Sequence, residues 1–252
     1  MKSLAILILT KNEERNIVEV IDNAKQCTDD VVIIDSGSTD KTIYYAQKYL
    51  AKVCYRAWDN DFSAQRNFAL EQTDADWVLY LDADERLMPE TVEAIKSILA
   101  QDTMEYQYKL KRCTKAFGKL FHHGVLAPDV VTRMFPRNQV TWVNKVHEHP
   151  ECNLPVQHLP GYLEHNTYVD WDEWEAKMRE YSTIWANDVF AKGKRCGKWS
   201  ALGHGAGAFI KMLFLKKGFL DGYLGIYMCF ANASYTMLKY LKLYELQSTQ
   251  NR

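Results

Sequence analysis

The sequence predicts an α/β fold, with a mostly parallel, Rossmann-like sheet, helices on both faces and a C-terminal helical extension. Over the first hundred residues, short apolar runs alternate with stretches of helical periodicity. The apolar runs are continuous rather than alternating, which is typical of strands buried on both faces. The chain has 252 residues, 47% of them hydrophobic and 25% charged, which is enough to bury the core of one large domain.

The elements follow in order along the chain. Buried strands are predicted at 3–10, 30–35, 51–55 and 77–81, with helices at 16–27, 40–50, 62–72 and 89–100. Pro89 lies in the first turn of the last of these helices, where proline is tolerated. Strand-like segments at 106–112, 130–135 and 140–143 are expected to extend the sheet. A long helix is predicted at 172–192, followed by a Gly/Lys linker and a final apolar region at 209–246.

The charge distribution is more informative than the net charge of -1, which gives no reason to expect a nucleic-acid partner. From residue 190 onward there are ten basic residues and two acidic ones, whereas the preceding residues hold 21 basic and 30 acidic ones. The six cysteines are widely spaced and form no CxxC pair, as expected for reduced thiols in a cytosolic protein. The apolar run at 4–9 is short and followed by charges, so it predicts a buried strand rather than a signal peptide.

Polar residues cluster where the predicted strands end, at 10–13, 35–38 and 82–85. In an open parallel sheet, ligands bind beyond the carboxyl ends of the strands. The three clusters therefore predict a single site at this edge. None of them is a Gly-rich phosphate loop, which argues against a nucleotidyltransferase and against a dinucleotide-binding oxidoreductase.

The pair Asp82 and Asp84 is the centre of this predicted site. Two carboxylates at i and i+2, directly after a buried strand, can bind Mg²⁺ or Mn²⁺ and leave coordination positions for the oxygens of a nucleotide diphosphate. Carboxylates in this position also cap helices or lie in solvated loops. The other two clusters favour the metal-site interpretation.

Four motifs, in this order and spacing, resemble the family 2 inverting glycosyltransferases of the GT-A fold: residues 9–13, 34–40, 65–67 and 81–85. Residues 106–245 further resemble a bacterial subgroup that includes lipopolysaccharide inner-core β-glucosyltransferases. The segments that carry this second resemblance are 133–137, 146–148 and 214–222.

The resemblance implies a role for each candidate site residue. The nucleotide-sugar-binding residues would be Thr10, Asn12, Glu13, Asp35, Arg66 and Asp82. The metal ligands would be Asp84, Asp82 and His165, and the catalytic base would be Glu148. Asn12 and Glu13 also suit capping of the next helix. The residues alone do not favour Glu148 over Glu151 or Glu164. His147 and His149 are further candidates for metal or phosphate binding, and His122 and His123 for an acceptor loop near Asp129.

We therefore expect an inverting transfer of a hexose, glucose from UDP-glucose, to a lipopolysaccharide-core or other lipid-linked saccharide. The alternatives are a protein or peptide acceptor, or a non-catalytic nucleotide-sugar-binding protein. The expected organisation is a catalytic domain at 1–190, with a nucleotide-sugar half at 1–100 and an acceptor half at 101–170, followed by a basic helical tail at 191–252.

The tail has two interpretations. Charged and polar residues interrupt region 209–246, which leaves no uninterrupted run long enough to span a bilayer. Lysines beside aromatic residues suit helices lying on an anionic membrane, which would place a cytoplasmic protein on the inner face of the cell membrane. The same region could instead pack within the chain or form a homodimer.

Overall fold

The structure is a computed structural model that describes residues 1–101, 103–145 and 148–250, without the side chain of Gln250. His147 therefore lies outside the described residues. The chain divides into two compact units, Met1–Arg112 with Asp129–His165, and Cys113–Pro128 with Asn166–Arg252. The domain bounds expected from the sequence stay a prediction.

The first unit begins with the predicted alternation of strands and helices. The four strands are parallel and lie in the order β3-β2-β1-β4. Their bounds, with those of the intervening helices, are β1 Leu4–Thr10, α1 Ile17–Ala24, β2 Val31–Asp35, α2 Thr42–Lys48, β3 Lys52–Tyr55, α3 Phe62–Leu70, β4 Trp77–Asp82, β5 Glu85–Leu87 and α4 Pro89–Leu99.

Helices cover both faces of these parallel strands, as predicted. Successive strand side chains point to opposite faces. Leu4, Ile6 and Ile8 of β1 pack in one cluster with apolar residues of α1, α2 and α4. Ala5 and Leu7 pack in the other cluster, with Ala69 of α3. Both faces of β1 are therefore buried, which explains its continuous apolar sequence.

The second half of the chain extends the sheet with antiparallel strands. β8 runs antiparallel to both β4 and β6, and β12 runs antiparallel to β5. The sheet is thus mixed: its first four strands are parallel, and β11 also pairs with β6 in parallel. The third strand-like segment does not join it: β9 forms a separate two-stranded sheet with β10, after a 3-10 turn at Arg137–Gln139. The bounds are β6 Gln107–Ala116, β7 Lys119–Leu120, β8 Asp129–Pro136, β9 Thr141–Val143, β10 His149–Glu151, β11 Val156–His158 and β12 Leu163–Tyr168.

The second unit is mainly helical and confirms the C-terminal extension. It holds α5 at Trp171–Ala191, α6 at Ser200–Ile210 and α7 at Gly222–Gln250. Two short segments connect α6 to α7, a π-helical turn at Lys211–Leu215 and a 3-10 turn at Gly218–Asp221. Among the described residues, no helix has both the length and the apolar character needed to cross a bilayer.

Candidate active site

The strand registers bring the three polar clusters to one edge of the sheet. Thr10 at the end of β1 lies opposite Asp35 at the end of β2, and Leu9 lies opposite Asp82 at the end of β4. The apolar sequences of β1, β2 and β4 fix these registers, because a shift by one residue would turn their buried side chains to the wrong face.

The first two clusters are joined to each other by hydrogen bonds. Asn12 has a left-handed backbone conformation, with φ at 58°. Its backbone N–H donates to Ser38 Oγ at 2.9 Å, and its side-chain oxygen accepts from the backbone N–H of Thr39 at 2.8 Å. The backbone N–H of Glu13 donates to Thr42 Oγ1 at 2.7 Å. Asn12 thus ties the loop after β1 to the loop after β2, and Glu13 ties it to the start of α2. Their role in nucleotide binding stays a prediction.

Asp35 is fully buried and shapes the loop that follows it. Its carboxylate accepts hydrogen bonds from the backbone N–H groups of Gly37 and Ser38, at 2.8 and 3.0 Å, and from Ser38 Oγ at 2.5 Å. Gly37 has φ at +98°, a conformation that favours glycine. Contact between Asp35 and a nucleotide stays a prediction.

A cleft of about 280 Å³ lies beside these two loops. Thr10 and Glu13 line it, together with Trp58 and Phe62, whose ring centroids are 4.5 Å apart in an edge-to-face arrangement. Phe62 is exposed and Trp58 half-buried. Aromatic rings offer a planar base a surface for stacking. Trp58 and Phe62 were not among the predicted site residues, because a lone aromatic residue before a helix resembles an ordinary packing residue.

Three consecutive residues of α3 make three different connections. The side-chain N–H groups of Gln65 donate to the backbone carbonyls of Arg56 and Ala57, at 3.0 and 3.3 Å. Asn67 makes a reciprocal pair with the backbone N–H and carbonyl of Trp142, both at 2.8 Å. Arg66 lies between these two residues in the chain, so their hydrogen bonds fix the backbone on either side of it.

The guanidinium of Arg66 is buried but incompletely paired. Its nearest carboxylates are Asp82, at 3.5 Å from Nη2, and Glu148, at 3.6 Å from Nε. Its central carbon lies 4.6 Å from the ring centroid of Trp142 and 5.5 Å from that of Tyr80. Its Nε and Nη1 atoms are buried without a hydrogen-bond partner among the described residues. Buried donors without partners are costly, so this group is suited to an anionic ligand.

Asp82 belongs to a network of opposite charges whose centre, Arg133 and Glu85, is buried. One of its oxygens lies 2.5 Å from Arg133, which also contacts the fully buried Glu85 at 2.9 Å. Glu85 in turn lies 3.3 Å from Arg112, which binds Asp129 at 2.6 Å. The network fixes the position at which the chain leaves β4.

Two arginines, Arg133 and Arg66, favour the ionised form of Asp82. Burial opposes its charged form, but the positive charges of Arg133 and Arg66 outweigh burial and hold the pKa of Asp82 well below its usual range. Burial likewise opposes the charge of Arg133, whose pKa is nonetheless raised by Asp82 and Glu85. Because the folded-state pKa of Asp82 is depressed, its contribution to stability is present at neutral pH and is lost only as the pH falls through that value.

Asp84 lies beside His165, the predicted third metal ligand. Nε2 of His165 is 3.1 Å from a carboxylate oxygen of Asp84, since β12 pairs with β5 directly after the aspartate loop. Two adjacent ligands of one octahedral cation, each at about 2.1 Å, would be about 3 Å apart. The observed 3.1 Å is also the length of a hydrogen bond between the two side chains, so their role as metal ligands stays a prediction. No group of three His, Cys, Asp or Glu side chains is arranged for a metal within the described ranges.

The other candidate histidines have contacts of their own. His149 lies 3.3 Å from the side chain of Asn144. His122 and His123 belong to the second unit, where their backbone N–H groups donate to buried Asp221. Sequence reasoning also missed the pairing partners Glu85, Arg112 and Arg133. The subgroup motif at 133–137 was the available signal for Arg133.

A buried arginine, a carboxylate pair and an aromatic cleft thus lie at the carboxyl ends of the strands of an α/β sheet, which is where such sheets bind ligands. Residues 5–115 match the family described as Glycosyl transferase family 2. The matched segment belongs to this family, which confirms the predicted resemblance to family 2 glycosyltransferases.

Relatives cover almost the whole chain. An uncharacterised glycosyltransferase of Rickettsia typhi is 28% identical over 98% of this chain and 88% of its own length. The lipopolysaccharide core biosynthesis glycosyltransferase LpsC of Rhizobium meliloti is 27% identical over 99% of this chain and 94% of its own.

Solved structures resemble it more distantly. TarS of S. aureus is 19% identical with a TM-score of 0.48, over 74% of this chain and 40% of TarS. The Mycobacterium tuberculosis glucosyl-3-phosphoglycerate synthase with Mn²⁺ and UDP-glucose is 23% identical with a TM-score of 0.36, over 45% of this chain and 44% of that one. This chain thus spans less than half the length of either solved chain.

Proposed function

We propose that this glycosyltransferase is metal-dependent and inverting, and that it transfers glucose from UDP-glucose to a lipopolysaccharide-core or other lipid-linked saccharide. The similarity to LpsC, whose name places that relative in lipopolysaccharide core biosynthesis, supports this acceptor class. A protein or peptide acceptor and a non-catalytic nucleotide-sugar-binding protein are the alternatives.

The buried guanidinium of Arg66 is the observation that carries the proposal. Its Nε and Nη1 atoms have no hydrogen-bond partner among the described residues, and Asp82 and Glu148 contact it only at 3.5 and 3.6 Å. A diphosphate would satisfy the free donors with charge-assisted hydrogen bonds. The aromatic cleft beside β1 and β2 would take the nucleobase, with Thr10 and Glu13 at its wall.

Asp84 and His165 would hold the divalent cation, as their 3.1 Å separation allows. When bound there, a divalent cation neutralises the charge that builds on the departing nucleoside diphosphate. Asp82 is oriented by Arg133 and would contact the ribose of the donor, in keeping with its predicted role.

Glu148 would act on the acceptor. Its carboxylate would take the proton from the acceptor hydroxyl as that oxygen attacks the anomeric carbon and the carbon–oxygen bond to the diphosphate breaks. Attack opposite the leaving group inverts the configuration. The contact between Glu148 and Arg66 supports placing the base next to the leaving diphosphate.

A panel of nucleotide sugars, each tested by thermal shift with and without Mn²⁺ or Mg²⁺, tests the donor and the metal together. At a donor concentration about one hundred times Kd, bound ligand adds about 2.7 kcal/mol of stability. For a chain of this size, that raises Tm by roughly 5–10 °C. We expect this shift with UDP-glucose only when metal is present. No shift with any nucleotide sugar would overturn the proposal.

Transfer assays separate the alternatives. A lipid-linked saccharide acceptor should accept labelled glucose, whereas a peptide acceptor should not. Binding of UDP-glucose without transfer or hydrolysis, with metal present, would instead favour a non-catalytic binding protein.

A further inference from the structure

The connection between α6 and α7 in the second unit forms an irregular corner. It consists of the π-helical turn Lys211–Leu215, Lys217 in a left-handed conformation with φ at 55°, and the 3-10 turn Gly218–Asp221. Gly218 packs tightly here, since an added Cβ would lie 2.6 Å from Cys229 Sγ. The corner is therefore an ordered part of this unit.

Large apolar side chains project from this corner into solvent. Leu215 is 75% exposed and Phe214 is 60% exposed. The other large exposed apolar residues between 210 and 223 are Ile210, Phe219, Leu220 and Tyr223. We call residues 210–223 the corner surface. Several large apolar side chains exposed within one short segment are typical of an interaction site.

The apolar stripe continues along α7. Tyr223, Tyr227 and Phe230 are all exposed, and their spacing of four and three residues places them on one face of the helix. Aromatic residues of this kind are enriched where one side of a surface is apolar and the other is wet.

The exposed charges of the corner surface are all positive. Lys211, Lys216 and Lys217 are exposed. Asp221 is the one acidic residue within 210–223, and it is buried, with its carboxylate accepting from the backbone of His122 and His123. No acidic side chain of this segment is therefore available to balance the lysines.

This charge distribution argues against a second copy of the chain as the occupant. A two-fold dimer would place the same patch on both sides of the interface. The lysines of one copy would then face those of the other, with no acidic residue of the corner surface between them. An anionic surface complements both the lysines and the apolar side chains.

We propose that the corner surface docks on a lipid bilayer containing anionic headgroups. Phe214, Leu215 and their apolar neighbours enter the interfacial region, while the three lysines contact phosphate groups. This inference concerns binding alone, so it can fail while the proposed transferase activity holds, and the reverse.

Vesicle flotation of the full chain tests it, without nucleotide sugar. We expect the chain to float with phosphatidylcholine vesicles that contain phosphatidylglycerol, and less at high salt or without the anionic lipid. The double variant Phe214→Ser with Leu215→Ser, and separately Lys211→Glu with Lys216→Glu, should each lower the vesicle affinity by about tenfold.

Matched controls lie on α2 of the other unit. Tyr44 is 60% exposed, as Phe214 is, and Lys48 is exposed, so Tyr44→Ser and Lys48→Glu should leave flotation unchanged. Far-UV circular dichroism would confirm that each variant is folded. Absence of wild-type flotation at either salt, or full flotation of both double variants, would overturn the inference. It would equally fail if sedimentation showed a dimer that Phe214→Ser with Leu215→Ser dissociates.

Discussion

The charged guanidinium of Arg66 is buried in the protein rather than exposed to solvent. Its guanidinium lies beside the rings of Trp142 and Tyr80, and two carboxylates lie near its Nη2 and Nε atoms without saturating its donors. A lysine could supply the charge but not the planar set of donors. This explains why an arginine at the centre of the site suits a diphosphate.

The role of Glu148 gives the first prediction. Glu148→Gln keeps the shape of the side chain but cannot accept the proton, so we expect kcat to fall by about 10² to 10⁴ while UDP-glucose affinity is retained. Glu151→Gln, a change of an exposed glutamate on β10, is the control and should leave kcat unchanged. Steady-state kinetics and calorimetry measure the two quantities. Unchanged turnover in Glu148→Gln would rule out its role as base.

The Asp84–His165 pair gives the second prediction. His165→Asn removes the imidazole ligand, so the Mn²⁺ concentration that half-saturates binding should rise by about tenfold or more. Electron paramagnetic resonance of free Mn²⁺ measures this directly, in the presence of UDP. His158→Asn, on the exposed strand β11, should have no effect. Equal Mn²⁺ affinity in both variants would exclude His165 as a ligand.

At the scale of single elements, α3 connects the site to the sheet through its three consecutive polar residues. The side chain of Asn67 satisfies both backbone groups of Trp142, which contacts Arg66 in turn. One residue thus links strand β9 to the position of the guanidinium.

Asn67→Ala should therefore destabilise the fold. Two backbone groups of buried Trp142 would lose their partner, and we expect the free energy of unfolding to fall by about 1–3 kcal/mol. Urea denaturation measures it. Asn138→Ala, at an exposed position in the turn after β8, should stay within about 0.5 kcal/mol of wild type. Identical unfolding midpoints for the two variants would show that the Asn67–Trp142 pair contributes little.

Two glycines of the second unit, Gly218 and Gly207, are predicted to change stability in opposite directions when each is replaced by alanine. In Gly218→Ala, the new Cβ would meet Cys229 Sγ and the carbonyl of Met212 at 2.6 and 2.9 Å, so we expect a loss of about 1–3 kcal/mol. In Gly207→Ala, within α6, the Cβ would meet no atom within 4 Å, and helix propensity should add about 0.5–1 kcal/mol. Thermal unfolding compares them. A Tm for Gly218→Ala at or above wild type would contradict the packing described here.

At the scale of the whole molecule, the sequence predicted what depends on local pattern. The strands β1, β2 and β4 could be located because both of their faces are buried and their apolar runs are unbroken. Their common direction then brought Thr10, Asp35 and Asp82 to one edge, as their registers confirm.

Features that depend on long-range pairing could not be predicted in this way. Glu85 resembles a solvated loop carboxylate in the sequence, yet it is fully buried because Arg112 and Arg133 arrive from β6 and β8. Similarly, nothing local distinguishes β9, which leaves the main sheet, from β8, which joins it. The burial of Glu85 depends on its arginine partners, and the sheet that β9 joins depends on the strand with which it pairs.

The proposal that Arg66 binds the donor diphosphate is tested most directly by calorimetric titration of UDP-glucose in the presence of Mn²⁺. We predict that Arg66→Lys weakens Kd by about tenfold to one hundredfold, because charged hydrogen bonds worth about 1.5–3 kcal/mol are lost. Arg179→Lys, an exposed change on α5, should bind like wild type. Equal affinity of folded Arg66→Lys and wild type would contradict the claim.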